Sequence, residues 1–277
     1  MWYQDENEFK SLNGYDVDGT WYPRVTKILE IKSKPALENF FKEMGSYERA
    51  DEVKNKSAAE GTLMHEAIQS LFLTGQVMGE SAYIAPGVEP GVVAFQKFNE
   101  RKKIELHPEF MERRIWSSRH RYAGTLDALA WIDGKFGVLD IKTSTGFYPE
   151  YNLQTAAYVT ALQEFDVKRN LSLPRDVETR WILRIDQRRI CAECGAMLRE
   201  KGGRQKIRDP HRRGAHLGRP GGKTLCPDEA HEWGAPEGDV ELKEFPFVFK
   251  DMKAFVAAKT LWEWEHDYWL KKIGYLK

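Results

Sequence analysis

The stretch Asp127-Ala-Leu-Ala-Trp-Ile-Asp-Gly-Lys-Phe-Gly-Val-Leu-Asp-Ile-Lys142 predicts two β-strands joined by a tight turn. Its central Asp133-Gly134 pair, flanked by β-rich runs, is the strongest short-range signal for a two-residue type I′ turn. Such a turn fixes the pairing register, so we expect Asp127 opposite Asp140. The two carboxylates are then cross-strand neighbours, with about 5 Å between their Cβ atoms.

A positive charge is predicted beside these two carboxylates. Side chains alternate along a strand, so Lys142 shares a face with Asp140, while the residues between them point into a core on the other face. Like charges directly opposite one another destabilise a hairpin, which indicates a compensating group such as a bound divalent cation. A solvated face with incidental charges is the alternative. Apolar neighbours on the charged face favour a functional site; they are Leu129, Trp131, Phe136 and Val138.

The composition indicates a folded domain without a global charge preference. Hydrophobic residues make up 42% of the 277 positions, which is enough for a sizeable core. Lys plus Arg and Asp plus Glu balance at 42 each, so nucleic-acid binding has to come from local patches. No run of about 18 apolar residues is present, and the N-terminus lacks the basic and apolar regions of a secretory signal. We therefore expect a soluble, cytoplasmic protein that does not bind membranes.

Hydrophobic periodicity predicts the element order helix, three strands, helix, strand, strand, helix, which is an α/β arrangement. Ser57-Ala-Ala-Glu60 has the form of a capping box and predicts the start of a helix. A polar segment rich in Gly and Arg, residues 191–236, separates the last two strands. We therefore expect one domain formed by residues 1–190 and 237–277, with 191–236 as an inserted module.

The inserted module carries four candidate metal ligands in two short clusters. Cys191-Ala-Glu-Cys194 and Cys226-Pro-Asp-Glu-Ala-His231 together resemble a zinc ribbon. A segment with so few apolar residues needs a bound ion to fold, and Zn²⁺ fits these ligands. His211 and His216 compete with His231 as the fourth ligand. A thioredoxin-like redox role for the first cluster is the alternative, although no βαβ pattern surrounds it.

The same module has a local excess of positive charge. Between Leu198 and Lys223 there are nine Lys or Arg and two Asp or Glu residues. Such a run is usually only a solvated loop, but beside a site for phosphate chemistry it can hold phosphate groups. The candidate nucleic-acid contacts are Arg204, Lys206, Arg208, Arg212 and Arg213.

Four ordered motifs resemble those of the PD-(D/E)XK nuclease superfamily, in its RecB-like exonuclease branch. They are Gly61-Thr-Leu-Met-His65, Gly124-Thr-Leu-Asp127, Asp140-Ile-Lys-Thr143 and Gln154-Thr-Ala-Ala-Tyr158. The stretch Tyr22-Pro-Arg-Val-Thr-Lys-Ile-Leu29 is also similar to the N-terminus of phage and mitochondrial single-strand exonucleases of this branch. The inserted module lies outside the resemblance.

This resemblance implies a restriction-endonuclease-like α/β core, with a mixed central sheet flanked by helices. It implies that Asp127, Asp140 and the carbonyl of Ile141 bind Mg²⁺ or Mn²⁺, and that Lys142 orients or deprotonates the attacking water. The other implied site residues are His65 as a ligand of a metal that tolerates imidazole, Gln154 and Tyr158 near the scissile phosphate, and Glu112 as an accessory acid. Without the resemblance, His65 reads as a packed helix residue and Glu112 as an exposed strand charge.

The implied activity is metal-dependent hydrolysis of DNA, by an exonuclease acting on single strands or DNA ends, with a helicase or recombination protein as a class of partner. A nuclease-fold module that binds nucleic acid without cutting it, using the zinc insert for recognition, is the alternative. The set of Asp127, Asp140 and Lys142 disfavours it, because a purely binding module has no chemical need for opposed carboxylates. Iron–sulfur clusters in this branch use four cysteines, whereas this chain has three.

Overall fold

The computed structural model describes residues 3–32, 35–74, 87–209 and 226–277. The α-helices are α1 (Glu6–Asn13), α2 (Val25–Ile28), α3 (Pro35–Met44), α4 (Tyr47–Thr74), α5 (Glu89–Lys102), α6 (Pro149–Leu162), α7 (Phe165–Leu171), α8 (Phe249–Glu265) and α9 (Asp267–Lys272). The strands are β1 (Gly14–Val17), β2 (Thr20–Pro23), β3 (Glu105–Leu106), β4 (Arg113–Ser117), β5 (Tyr122–Leu126), β6 (Ala128–Ile132), β7 (Lys135–Lys142), β8 (Thr179–Ile190), β9 (Met197–Lys201), β10 (Arg204–Arg208) and β11 (Glu237–Glu244). Within these ranges every helix is too short or too polar to cross a lipid bilayer.

The hairpin of β6 and β7 forms with the predicted register. Ala128 pairs with Leu139, so the two carboxylates of the motif lie at the open end of the hairpin. Asp133 and Gly134 both have left-handed backbone angles, with φ of 51° and 77°, as a type I′ turn requires. The turn and the register predicted from the sequence are therefore confirmed.

The central sheet is mixed and is built around this hairpin. Its strand order is β10-β9-β8-β7-β6-β3, and β11 also pairs with β8. β7 and β8 run parallel, with Asp140 beside Ile182 and Lys142 beside Arg184. The other pairs in this sheet are antiparallel. α6 and α7 form the crossover from β7 to β8, and two smaller sheets consist of β1-β2 and β4-β5.

Helices cover both faces of the sheet at the hairpin. On one face Leu129, Phe136 and Val138 are fully buried in a cluster that includes side chains of α6 and α8. On the other face Leu139 and Ile141 are buried against side chains of α4, α5 and β8. Alternate residues of β7 thus contribute to two separate cores, as period-two alternation predicts. The fold is α/β, with a mixed central sheet flanked by helices.

The segment between β8 and β11 extends the sheet. Residues 191–236 leave β8 and return as β11, which pairs with β8 in antiparallel register. Within this segment β9 and β10 form a hairpin, and Leu198 of β9 pairs with Arg189 of β8. The inserted segment therefore continues the central sheet beyond β8, which the sequence analysis did not predict.

The capping-box prediction at Ser57-Ala-Ala-Glu60 was wrong. α4 begins earlier, at Tyr47, and both Ser57 and Glu60 lie inside it. The residues before Ser57 are good helix formers without Gly or Pro, so the helix runs through the capping pattern. The Glu60 carboxylate instead accepts a hydrogen bond of 3.0 Å from the backbone N–H of Gly202 in the inserted segment.

Gly137 is required by the close approach of β7 and β8. A Cβ atom at this position would lie 2.3 Å from the carbonyl oxygen of Thr179 and 2.6 Å from the ring of Trp181. Because a carbonyl in a strand ladder cannot move without disturbing the pairing, Gly137→Ala should lower the free energy of unfolding by about 1–3 kcal/mol. Urea denaturation followed by tryptophan fluorescence measures this change. Gly146→Ala is the matched control, since a Cβ atom there meets nothing within 4 Å. Equal urea midpoints for the wild type and Gly137→Ala would contradict this prediction.

Candidate functional site

Asp127 lies at the seam between two sheets. β5 ends at Leu126 and pairs with β4, whereas β6 begins at Ala128 and belongs to the central sheet. The Asp127 carboxylate accepts a hydrogen bond of 2.7 Å from the backbone N–H of Ile141. Its carbonyl accepts another, of 3.0 Å, from the N–H of Glu112. Backbone contacts from two neighbouring segments therefore fix this residue.

Asp140 and Lys142 form a buried ion pair at the end of β7. Asp140 is 1% exposed, and Nζ of Lys142 lies 2.9 Å from its Oδ1 atom and 2.8 Å from its Oδ2 atom. The contact with Oδ1 has hydrogen-bond geometry, but Oδ2 has no hydrogen-bond donor within the described ranges. The ammonium of Lys142 therefore neutralises the buried carboxylate, and one further hydrogen bond to Oδ2 is left unmade.

The surroundings of this pair shift both pKa values. Burial raises the pKa of Asp140 to about 7 against the lowering effect of Lys142, and the charge of Asp127 adds to the rise. Burial lowers the pKa of Lys142, but the charges of Asp140 and Asp127 outweigh it, so the pKa is raised.

Three further ligand types meet next to the ion pair. The ligand atoms of His65, Glu112 and Asp127 all lie within 4.8 Å of one another, and Nδ1 of His65 is 4.0 Å from Oδ2 of Asp127. His65 comes from α4, Glu112 from the residue before β4, and Asp127 from the seam. The structure thus brings three of the predicted site residues together, while Asp140 is not a member of this group.

An unusual backbone conformation places Glu112 in this group. Its φ is 49°, in the left-handed region that residues other than glycine rarely adopt. The sequence analysis placed Glu112 on a strand, whereas β4 begins one residue later, at Arg113. The Glu112 carboxylate accepts a hydrogen bond of 2.6 Å from Nε2 of Gln69 on α4. Burial, and then the charge of Asp127, raises the pKa of Glu112.

His65 is held in the form that binds metals. Burial lowers the pKa of its imidazole and outweighs the raising effect of Asp127. The ring is therefore neutral at pH 7, and a neutral ring nitrogen can ligate a metal ion. The ring also hydrogen-bonds the backbone of Ile141, which fixes it against the end of β7.

Gln154 and Tyr158 form one hydrogen-bonded unit on α6. Nε2 of Gln154 donates to the Tyr158 hydroxyl at 3.0 Å. The Tyr158 ring packs on Gly124, where a Cβ atom would lie 2.4 Å from it, so this glycine makes room for the tyrosine. Burial, and then the charge of Asp140, raises the pKa of Tyr158 well above its usual range. In the described contacts Gln154 bonds to Tyr158 and not to Lys142.

Two residues that contact this region were missed in the sequence. The ring centre of Tyr151 lies 5.2 Å from Nζ of Lys142, and its position one turn before Gln154 on the same helix could have revealed it. Nζ of Lys201, on β9, donates to the carbonyl and to the hydroxyl of Thr143, the latter at 2.8 Å. Burial lowers the pKa of Lys201 to about 8. No local pattern predicts the contact of this lysine, because Lys201 and Thr143 lie far apart in the sequence and meet only in the folded structure.

The inserted segment brings its four predicted metal ligands together. The ligand atoms of Cys191, Cys194, Cys226 and His231 all lie within 4.8 Å of one another, so this group can hold a metal ion. The three thiols form no disulfide. Gly195, with φ of 73°, permits the tight turn in which its N–H donates to the carbonyl of Cys191 at 3.0 Å.

The pKa values of two of the three thiols are lowered, and that of the third is raised. Burial opposes ionisation of Cys191, but hydrogen bonds from the Cys194 backbone and from His231 lower its pKa to about 6. A hydrogen bond with the Cys226 backbone lowers the pKa of Cys194. Burial and the neighbouring thiols raise the pKa of Cys226 to about 11. A bound cation removes the mutual repulsion of the thiolates.

The predicted basic contacts differ in their surroundings. Four residues of the predicted ligand and contact sets lie outside the described residues: His211, His216, Arg212 and Arg213. Arg204 and Lys206 both pair with Glu43 on α3, Lys206 at 3.2 Å. Arg208 has no carboxylate partner in the part of the chain that the structure describes. Local positive charge is therefore partly neutralised at β10.

The raised pKa of Asp140 predicts a pH dependence of stability in the absence of divalent cations. The unfolded chain releases this proton near pH 4 and the folded chain near pH 7, so the folded state holds the extra proton between these values. Wild-type stability should therefore fall, relative to that of Asp140→Asn, as the pH rises from about 4 to about 7. Between these pH values, the free energy of unfolding of the wild type should fall by on the order of 3 kcal/mol relative to that of Asp140→Asn. Urea denaturation at a series of pH values measures it.

Asp133→Asn is the matched control for this experiment. It makes the same chemical change in the turn of the same hairpin, where the carboxylate is 64% exposed, and Asn-Gly also suits a type I′ turn. A stability difference between the wild type and Asp140→Asn that stays constant over this pH range would contradict the raised pKa.

No protein-family model matches the chain. No curated protein matches it at a significant level of similarity. The resemblance to RecB-like nucleases therefore remains an expectation from the four sequence motifs.

Proposed function

We propose that the protein is a divalent-metal-dependent nuclease that hydrolyses phosphodiester bonds in DNA, from single strands or free ends. The observation that carries this proposal is the buried ion pair of Asp140 and Lys142 beside the group of His65, Glu112 and Asp127. Hydrolysis of a phosphodiester needs oxygen ligands for a hard cation and a positive charge near the phosphate, and these residues offer both. The preference for DNA comes from the sequence resemblance.

The residues present fit Mg²⁺ or Mn²⁺. Glu112 and Asp127 offer carboxylate oxygens, and the carboxylate of Asp140, paired with Lys142, is a further oxygen ligand in this proposal. The Ile141 carbonyl at the end of β7 is a further oxygen ligand in this proposal. The neutral imidazole of His65 is more compatible with Mn²⁺ than with Mg²⁺. When bound, such an ion polarises the phosphate and lowers the pKa of a bound water.

Lys142 positions the attacking water and neutralises charge on the phosphate. In hydrolysis the water oxygen forms a bond to phosphorus, the bridging P–O bond breaks, and the leaving oxygen gains a proton. Negative charge that grows on the phosphate oxygens during this step is stabilised by a fixed cation. Asp140 holds the Lys142 ammonium in place. The raised pKa of Lys142 keeps the ammonium charged at neutral pH.

Residues of α6 support this lysine. The Tyr151 ring lies against the ammonium of Lys142 and limits the positions it can take. The Gln154 and Tyr158 unit lies further along the same helix, and its Tyr158 ring is buried.

We further propose zinc as the ion of the inserted segment. Three thiols and one imidazole are the ligand set of structural zinc sites in which all four positions are occupied by protein. The cluster begins directly after β8, at Cys191, and a strand rather than a helix follows Cys194, which is unlike a thioredoxin site. In this proposal 191–236 is a zinc module inserted in a restriction-endonuclease-like domain formed by 1–190 and 237–277.

Cleavage of labelled DNA tests the nuclease proposal. With Mn²⁺ or Mg²⁺, Asp127→Asn, Asp140→Asn and Lys142→Gln should each slow degradation of 5′- or 3′-labelled single-stranded DNA by at least about 100-fold. Each variant removes a proposed ligand or the fixed cation, so the loss should appear in the rate of cleavage. EDTA should abolish cleavage by the wild type. The label that is released first gives the polarity.

Two substitutions in the hairpin turn serve as matched controls for the cleavage assay. Asp133→Asn and Lys135→Gln change the same residue types at the other end of β6 and β7, and both variants should cut at the wild-type rate. Absence of cleavage by folded, metal-loaded wild type, together with retained DNA binding, would contradict the nuclease proposal. That result would favour the non-catalytic binding module.

Metal analysis of the purified protein tests the zinc proposal. Inductively coupled plasma mass spectrometry should detect bound zinc in the wild type, and Cys194→Ser or His231→Ala should reduce it to background because each removes a ligand. His107→Ala, which changes a histidine outside the cluster, should keep the zinc. A metal-free wild type that forms a reversible disulfide between Cys191 and Cys194 would contradict zinc binding and favour the redox role.

A further inference from the structure

A groove runs from the end of β7 along the inserted hairpin. Two cavities, of about 640 and 960 Å³, meet there and share lining residues, so they form one continuous depression. The shared residues are Thr145, Tyr148, Arg199, Lys206 and Arg208. Thr143, which directly follows Lys142, lines the first cavity, and Phe147 and Lys243 line the second. The groove therefore begins beside the proposed catalytic lysine.

The lining of the groove carries more positive than negative charge. Eight Lys or Arg residues and five Asp or Glu residues line the two cavities. Several of the cations are paired, as Arg199 is with Asp186. Arg208 and Lys243 have no carboxylate partner among the described residues, so no carboxylate there neutralises their charge. Unpaired cations in a groove with an excess of positive charge favour a polyanion as the occupant.

Two half-buried aromatic rings lie beside one of these cations, and two exposed rings follow in the chain. Nζ of Lys243 lies 5.3 Å from the ring centre of Phe147 and 5.7 Å from that of Phe245, and the two rings are 6.5 Å apart. Phe247 and Phe249 follow in the chain and are 86% and 83% exposed. Single apolar residues on a surface are ordinary, but a segment with three phenylalanines beside a fourth indicates a binding surface.

The backbone that presents these rings is held in place by a buried arginine. The N–H of Phe245 donates to the carbonyl of Arg180 at 2.8 Å, and the Arg180 guanidinium donates to the carbonyl of Phe247 at 3.1 Å. The same guanidinium pairs with Asp251 in the first turn of α8. The Phe247 side chain is therefore exposed on an anchored backbone, and its exposure does not result from fraying.

We propose that this groove binds single-stranded nucleic acid, which it leads to Lys142. Phosphates lie against Arg208 and Lys243, and unpaired bases stack on Phe147 and Phe247. Stacking on a side chain requires a base with a free face, which a duplex does not offer along its length. Because every base has such a face, the groove should show little sequence preference. This inference rests on the proposed function for the direction of the strand, but binding can be measured separately from cleavage.

Equilibrium binding tests the groove. The full chain with Asp140→Asn, in buffer without Mg²⁺ or Mn²⁺, is titrated against fluorescein-labelled oligothymidylate of about 16 nucleotides, and fluorescence anisotropy reports the Kd. Phe147→Ala and Phe247→Ala, added to this parent, should each weaken binding by about 5- to 150-fold, as expected for the loss of one stacked base. Phe165→Ala removes a ring on α7 that is 74% exposed, and this control should bind as the parent does.

Salt dependence and an abasic strand separate the phosphate contacts from stacking. Lys243→Gln should reduce the slope of log Kd against log salt by about 0.7, because one phosphate contact is lost. Phe147→Ala should leave that slope unchanged. An abasic oligonucleotide of the same length should bind equally well to the parent and to Phe147→Ala, since it has no bases to stack.

Unchanged affinity in Phe147→Ala, Phe247→Ala and Lys243→Gln would overturn the inference and place the strand elsewhere on the protein. Failure of the parent to bind single strands would also overturn it, and would leave the aromatic segment to a protein partner. Groove-dependent binding by a wild type that cleaves no DNA would support the groove and contradict the nuclease proposal.

Discussion

The register of the β6–β7 hairpin is the constraint on which the rest of the site depends. A two-residue turn permits only one pairing register. The pairing of Ala128 with Leu139 therefore also decides which residues of β7 face α6. A shift of one position would turn Asp140 and Lys142 into the apolar core that contains Leu139 and Ile141. Because both faces of β7 are buried, the core itself selects the register that brings the charges together.

Burial then sets the electrostatic character of the site. The pKa of Asp140 and that of Glu112 are raised, and the pKa of His65 is lowered, so all three shifts favour the neutral form of the group. Neutral groups tolerate burial in the absence of a cation, and this reduces the repulsion between neighbouring carboxylates. A cation that binds here competes with the proton of Asp140, so its affinity should rise with pH.

The sequence predicted those features that local signals specify. The Asp133-Gly134 turn and the two-residue alternation of β7 were sufficient to place the carboxylates, and the spacing of the cysteines was sufficient to group four metal ligands. Features that depend on distant contacts were not predicted. Lys201 reaches Thr143 only through the fold of the inserted segment, and Ser57 lies inside α4 because the residues before it continue the helix. The left-handed backbone of Glu112 is likewise imposed by its neighbours and has no signature in the sequence.

The three residues that meet within 4.8 Å come from separate parts of the fold: His65 from α4, Glu112 from the turn before β4, and Asp127 from the seam between two sheets. No short fragment of the chain contains all three, so a cation can recognise them together only after the long-range contacts have formed. An ion bound at this place would therefore be linked to cooperative folding of the domain, and would stabilise the native state by RT ln(1 + [L]/Kd). The cysteine cluster, whose members all belong to residues 191–236, needs fewer such contacts. Because β9 of that segment pairs with β8, a cation bound to the cysteines would nevertheless be linked to the folding of the central sheet as well.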